Sequence, residues 1–371
     1  MPEFEYVEPR AYAALADRIS REPVIGVDTE FMRETTFVPE LCLLQVSAPG
    51  DIFCADPLGE ERTREELGAL LRVLADRCWV VHSGRQDIEV LYLGAGLMPR
   101  EIFDTQVAAA LLGYAPQLGY AALVAELFGV AIAKLHTRAD WHRRPLSPEL
   151  LEYAAEDVEY LLPARELLSE RLAALGRLEW AREDSAELLD ATLYTPDPET
   201  AIERLKGARY LKGAARRIAA SIAAWRESEA LARNRPRQWI LRDAAVLEIA
   251  AAAPETPAAL ARIPSLPPKT ARRAGRELLR LVRAAKLARD DYRPPARPDE
   301  GHRDRLKALQ DRVAAVATRL GIAPEVIASR KELSAALGGE RSSRLFRGWR
   351  RELIGDELLA MLGSWNLVPG S

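Results

Sequence analysis

Asp28, Thr29 and Glu30 close an apolar run that begins at Val24. In an extended chain, residues two apart point to one face, so both carboxylates should project together from the end of a strand. Like charges held that close repel, and a cation relieves the repulsion. Asp87 stands just beyond a second apolar run, Cys78 to Val81. It could equally steady the dipole of a helix starting there. Tyr153 and Asp157 are four residues apart in a segment of helical periodicity, which puts them on one helix face. The plain alternative is a core tyrosine packed above a solvated acid. Jointly, Asp28, Glu30, Asp87 and Asp157 form an all-oxygen donor set that suits Mg²⁺ or Mn²⁺ rather than Zn²⁺. Two such divalent cations about 3.5–4 Å apart can activate water and stabilise the leaving oxygen in phosphodiester cleavage.

Elements must hold these groups in place. Val24–Val27, Leu41–Val46 and Ile52–Ala55 read as strands, with Gly50 and Asp51 as a hairpin turn between the last two. Their connections are too short for parallel crossovers, so antiparallel pairing is expected. Arg64–Ala75 is helical, Cys78–Val81 a buried strand, and residues 86–93 a helix stopped by Gly94 and Gly96. Further helices are expected at 105–112, 120–128, from Ser147 to Tyr160, and from Ala164 to about Leu189. The fold class is therefore α/β, a mixed sheet flanked by helices. A break at Tyr194–Pro198 leads into an Ala/Leu/Arg-rich helical stretch, Ala201–Ala285, interrupted near Asn234–Arg237 and Ile263–Lys269. A Pro-rich linker, Tyr292–Pro298, precedes a last helical part, Arg303–Trp365.

The 371 residues, 48% hydrophobic and 29% charged, are globular material for two or three domains. No apolar run is long enough for a membrane span, and the acidic start lacks a signal core. Cys42, Cys54 and Cys78 lie in or beside apolar runs, as reduced thiols of a cytoplasmic protein would. The net charge of −3 conceals a division: residues 1–190 carry 18 Lys+Arg against 34 Asp+Glu, and the remainder 34 against 21. A basic second half invites a polyanion, though Arg-rich helices can also be solvated surface.

Val27-Asp28-Thr29-Glu30-Phe31, His82-Ser83-Gly84-Arg85-Gln86-Asp87 and Tyr153-Ala154-Ala155-Glu156-Asp157-Val158 resemble the three exonuclease motifs of the ribonuclease D family, in the tyrosine-containing branch of the DEDD superfamily. Phe103-Asp104-Thr105-Gln106 and Arg143-Arg144-Pro145-Leu146 also look like segments of that family, in order. The resemblance implies a ribonuclease-H-like exonuclease domain over 1–193. A helical domain of the type shared by RecQ-like helicases and ribonuclease D (HRDC) would follow at 200–288, and a diverged second helical domain at 299–371. It implies 3′–5′ hydrolysis that trims tRNA precursors and other small structured RNAs to release nucleoside 5′-monophosphates. Asp28, Glu30 and Asp157 would hold one cation, Asp28 would reach the second, Asp87 would support the site through water, and Tyr153 would orient the attacking water. The rivals are a DNA 3′–5′ exonuclease and a non-catalytic nucleic-acid-binding protein.

The expected partner is RNA with a free 3′ end, with no membrane and no obligate protein partner. Phe31 and Met32 could pack on its last nucleotide, or belong to the core. His82 and Gln106 lie near the site by motif position, where a structural role is the stronger reading. Residues 134–145, opening with Lys134, His136 and Arg138, are polar and irregular, and within them His136, Trp141, His142, Arg143 and Arg144 mix aromatic and basic groups in a loop, a composition that suits single strands. In the basic half, Arg209, Lys212, Arg216 and Arg217, then Arg233, Arg235, Arg237 and Trp239, are candidate phosphate and base contacts.

Overall fold

A computed structural model describes residues 2–58, 64–132, 139–289 and 301–366. Lys134, His136 and Arg138 and the linker Tyr292–Pro298 lie outside the described residues. The chain divides into two units. One holds 2–31, 41–190 and 301–366; the other holds 32–40 and 191–289.

In the first unit a three-residue strand β1 (Glu5–Val7) and helix α1 (Tyr12–Ser20) precede β2 (Val24–Met32). Then come β3 (Glu40–Ala48), β4 (Asp51–Ala55), α2 (Arg64–Ala75), β5 (Cys78–Val81), α3 (Arg85–Ala95), β6 (Glu101–Asp104) and α4 (Thr105–Leu111). Helices α5 (Tyr120–Phe128), α6 (Pro148–Glu159), α7 (Leu161–Ala174) and α8 (Leu178–Ala186) complete the exonuclease segment. The sheet order is β1-β4-β3-β2-β5-β6. β3 and β4 form the expected antiparallel hairpin, turning at Gly50, whose φ of +83° suits a residue without a Cβ. β2 and β5 pair parallel, as do β5 and β6, so the sheet is mixed. Ile25, Val27, Leu43, Leu44, Val80 and Val81 are buried on both its faces, the pattern of a sheet covered by helices.

The single helix expected from Ala164 to Leu189 is two. Gly176, with φ +67°, ends α7 in a left-handed turn and lets α8 start in a new direction. The helices His302–Leu320, Arg330–Leu337 and Asp356–Asn366 share one core with the nuclease helices. Leu309, Val313 and Val316 lie in the same cluster as Leu111, Leu123 and Leu168. Trp180 and Trp349 stack with ring centroids 4.4 Å apart. Asp184 is paired with the buried Arg350 and accepts from Trp349 Nε1 at 2.9 Å. At the crossing of Gly113 and Gly321, a Cβ on Gly113 would stand 2.4 Å from the Gly321 carbonyl, so only glycine fits.

The second unit is helical around α9 (Gly213–Ala232), with Ile218, Ile222, Val246, Ile249, Leu278 and Val282 in its core. Its helices are interrupted at 233–236 and 261–267, near the expected breaks, but Arg237 and Lys269 are already helical, and two further interruptions at 241–242 and 253–256 were not expected. The segment 32–40 belongs to it: Phe37 is buried against Ala230 and Ile240, and Asn234 Oδ1 accepts from the Phe37 and Val38 amides at 3.0 and 2.9 Å.

Candidate active site

Period-two alternation on β2 turns Asp28 and Glu30 to one face and buries Thr29 on the other. Asp157 reaches them from α6. That helix is started by the Ser147 side chain, which accepts from the Leu150 amide, and by Pro148 in its first turn. Carboxylate oxygens of Asp28, Glu30 and Asp157 all lie within 4.8 Å of one another. Asp87 comes from the first turn of α3 and is held by Thr29 Oγ1, which donates to its Oδ1 at 2.6 Å. Tyr153, one turn before Asp157, donates its hydroxyl to that carboxylate.

The turn that launches α3 is built from Ser83 and Gly84. A Cβ on Gly84 would sit 2.5 Å from the Val81 side chain. Asp104 fixes this turn, accepting from the Ser83 and Gly84 amides at 3.0 Å each while capping α4 through the Gln106 amide. Asp87 is thus aimed by a carboxylate on the neighbouring strand.

The electrostatics describe four acids that cannot all be charged comfortably. Burial, then Asp87, Asp157 and Glu30, push the Asp28 carboxyl well above its ordinary value. Burial, then Asp157 and Asp87, push Glu30 up to about 8. Asp157 is pushed to about 7, chiefly by burial and against the bond from Tyr153, and Asp87 to about 6 by burial against the bond from Thr29. Burial, then Asp157, Glu30 and Asp28, keep the Tyr153 phenol protonated. Hard oxygen donors in mutual repulsion are the chemistry a divalent cation satisfies, so the residues present fit one.

Several expected RNA contacts have other work in the structure. His82 is half-buried and held below its ordinary pKa by desolvation. Its ring nitrogens meet Thr105 Oγ1 and the Leu118 carbonyl, each at 2.9 Å. Gln106 donates to the same Leu118 carbonyl at 3.0 Å. Arg144 is tied to Asp56, Trp141 and Cys42 inside the unit, and Trp141 is buried rather than open to a base. In the second unit Arg237 pairs with the buried Glu227, Arg233 with Glu229, and Arg216 and Arg217 donate to backbone carbonyls. Phe31 and Met32 are half-buried, and Arg143 and Lys212 are exposed. Trp239 is 56% exposed with the Arg235 guanidinium 5.7 Å from its ring centre. Tyr210, 70% exposed and stacked with Arg209 at 4.7 Å, makes a matching pair that the residue-by-residue reading missed; its adjacency to Arg209 was the available signal. Thr29, which holds Asp87, and Asp104, which holds the turn before it, were not singled out as site-shaping residues.

A mixed α/β sheet that ends in clustered carboxylates, with a helical second unit, defines a nuclease class. The 3′–5′ exonuclease family matches residues 8–173, and the HRDC domain family matches residues 215–282. The chain is 40% identical over 369 residues to a ribonuclease D of Acidiphilium cryptum, covering 95% of this chain and 91% of that one. It is 40% identical over 356 residues to a ribonuclease D of Gluconacetobacter diazotrophicus, covering 94% and 89%. Among solved structures it is similar to Escherichia coli RNase D, described as an exoribonuclease involved in structured RNA processing. The TM-score there is 0.86 at 28% identity, over 98% of this chain and all of that one. The chain belongs to the ribonuclease D family, and its activity is that of a 3′–5′ exoribonuclease, a phosphodiester hydrolase.

Proposed function

We propose that this exoribonuclease trims the 3′ ends of tRNA precursors and other small structured RNAs in the cytoplasm, releasing nucleoside 5′-monophosphates. The observation that carries the reading is the approach of the Asp28, Glu30 and Asp157 carboxylates to within 4.8 Å beside a protonated tyrosine. Two divalent cations, Mg²⁺ or Mn²⁺, would supply activation of water and charge stabilisation at the leaving oxygen. Asp28, Glu30 and Asp157 would hold one of them, Asp28 would also reach the other, and Asp87 would support the site through water. Tyr153, kept protonated, orients the attacking water by its hydroxyl, a positioning role rather than a proton-abstracting one.

Phe31 and Met32 end the carboxylate strand, where a terminal nucleotide would pack. Arg143 offers an exposed cation in the first unit. In the second, Arg209 with Tyr210 and Arg235 with Trp239 are exposed pairings of charge and ring, and Lys212 is an exposed cation, groups suited to single-stranded RNA. The division into 1–193, 200–288 and 299–371 follows sequence, with the third part serving the nuclease core. Among the described residues no helix is long and apolar enough to cross a membrane. The three cysteines are free and buried, which supports the cytoplasmic assignment.

The test is a panel of matched substrates: a tRNA precursor with a 3′ trailer, an unstructured RNA, and a DNA of the same sequence. Trailer shortening to the tRNA body, with 5′-monophosphate product and slower DNA hydrolysis, is expected. Equal or faster hydrolysis of the DNA strand would favour the DNA exonuclease instead.

A further inference from the structure

Tyr153 has an aromatic neighbour in the loop that precedes its helix. The Trp141 ring is 4% exposed and lies 6.4 Å from the Tyr153 ring, tilted by 32°. Trp141 sits in the loop before α6, and its backbone is pinned there. Arg144 Nη1 donates to the Trp141 carbonyl at 2.7 Å. The same guanidinium is itself immobilised: Nε and Nη2 donate to the two carboxylate oxygens of Asp56 at 2.7 and 2.6 Å, and Nη2 also donates to the Cys42 carbonyl at 2.7 Å. Asp56 is fully buried and accepts in addition from Tyr6 Oη at 2.5 Å and from the Leu58 amide at 2.8 Å. Burial alone would raise its carboxyl, but the bonds from Arg144 and Tyr6 outweigh that and hold it below its ordinary value, ionised and fixed.

A forked ion pair on a fully buried carboxylate is a rigid anchor, because removing Arg144 leaves the Asp56 charge without solvent or counter-ion. Here it is anchored on the sheet, at the end of β4, and it ends on a loop carbonyl rather than at a surface. The loop in turn presents an indole to Tyr153, the tyrosine bonded to Asp157. We propose that Trp141, through the Asp56–Arg144 pair that fixes its backbone, is a positioning residue for Tyr153, setting where the phenol hydroxyl stands relative to Asp157.

The inference rests on the reading that Tyr153 orients the attacking water, and a double-mutant cycle separates the two. Tyr153→Phe alone tests that reading, with a fall in kcat on the order of 10²-fold and little change in KM expected. Trp141→Leu keeps apolar volume but removes the ring, and should lower kcat by a similar factor, on the order of 10²-fold, with KM and Mn²⁺ affinity unchanged. Combining it with Tyr153→Phe should bring no further loss, since both act through one hydroxyl. Trp141→Phe, which retains a ring, should recover most of the rate. If Trp141→Leu does not fold, Arg144→Lys takes its place in the same cycle. Losses that multiply in the double variant, or a lower melting temperature with kcat intact, would overturn the positioning role. An unaffected Tyr153→Phe would instead overturn the reading of the tyrosine.

Discussion

Thr29 and Asp87, 58 residues apart in sequence, are joined by a hydrogen bond of 2.6 Å between a strand hydroxyl and a helix carboxylate. Thr29 lies between Asp28 and Glu30 but faces the other way, so one tripeptide supplies two donors to the site and steadies a third. Thr29→Val keeps the shape and leaves a buried carboxylate oxygen short of a partner, at a cost of about 1–3 kcal/mol. Because the lost bond was lowering the Asp87 carboxyl, that group should titrate higher. The Mg²⁺ concentration for half-maximal activity should therefore rise, and more at pH 6 than at pH 8. A metal titration at both values checks this.

The raised carboxyls also predict how the metal-free protein responds to pH. Glu30 and Asp157 have folded values of about 8 and about 7, above those of an unfolded chain. The folded state then binds protons more tightly, so the cluster's contribution is full at low pH and is lost as pH rises through those values. Metal-free melting temperature should fall between about pH 5 and pH 8.5, and a divalent cation should restore more of it at the upper end. Calorimetry in buffers of differing ionisation enthalpy should detect protons released on binding.

Asp184 and Arg350 form a buried pair that joins α8 to the last helices of the chain. Arg350→Met leaves Asp184 buried and unpaired, and should lower stability by about 3–5 kcal/mol in denaturant unfolding of the first unit. Deleting everything after residue 190 should do worse, by also uncovering Leu111, Leu123 and Leu168. Loss of RNA binding in such a truncation would therefore report unfolding rather than a missing basic surface.

Point substitutions in the second unit are the sharper probe of binding there. Trp239→Ala should weaken single-stranded RNA binding by about 1–3 kcal/mol while leaving the salt slope unchanged. Lys212→Ala should instead reduce that slope by about 1. Affinity measured across a salt series distinguishes stacking from phosphate contact.

The acidic site was legible because its spacing is local. Two positions on one strand and two on one helix turn carry their geometry with them, whatever the rest of the chain does. Arg144 shows what is not local. Its charge and its neighbours suited RNA, but its partner Asp56 lies 88 residues away, and nothing in residue type announces that pairing. The last helices show the same limit at larger scale. Their periodicity was readable, whereas their attachment to the nuclease core depends on Asp184 meeting Arg350 across 166 residues. β1 and β6 carry acids within three and four residues, unlike the all-apolar β5 of similar length, so they did not stand out, and each is defined by the neighbour that pairs with it.

The most direct measurement follows a 5′-labelled structured RNA with a single-stranded 3′ trailer, in Mg²⁺ and in chelator, beside Asp157→Ala. The carboxylate cluster predicts a ladder that shortens from the 3′ end with metal, and disappears with chelator or in the variant. Shortening that persists in a folded Asp157→Ala, or without any divalent cation, would contradict it.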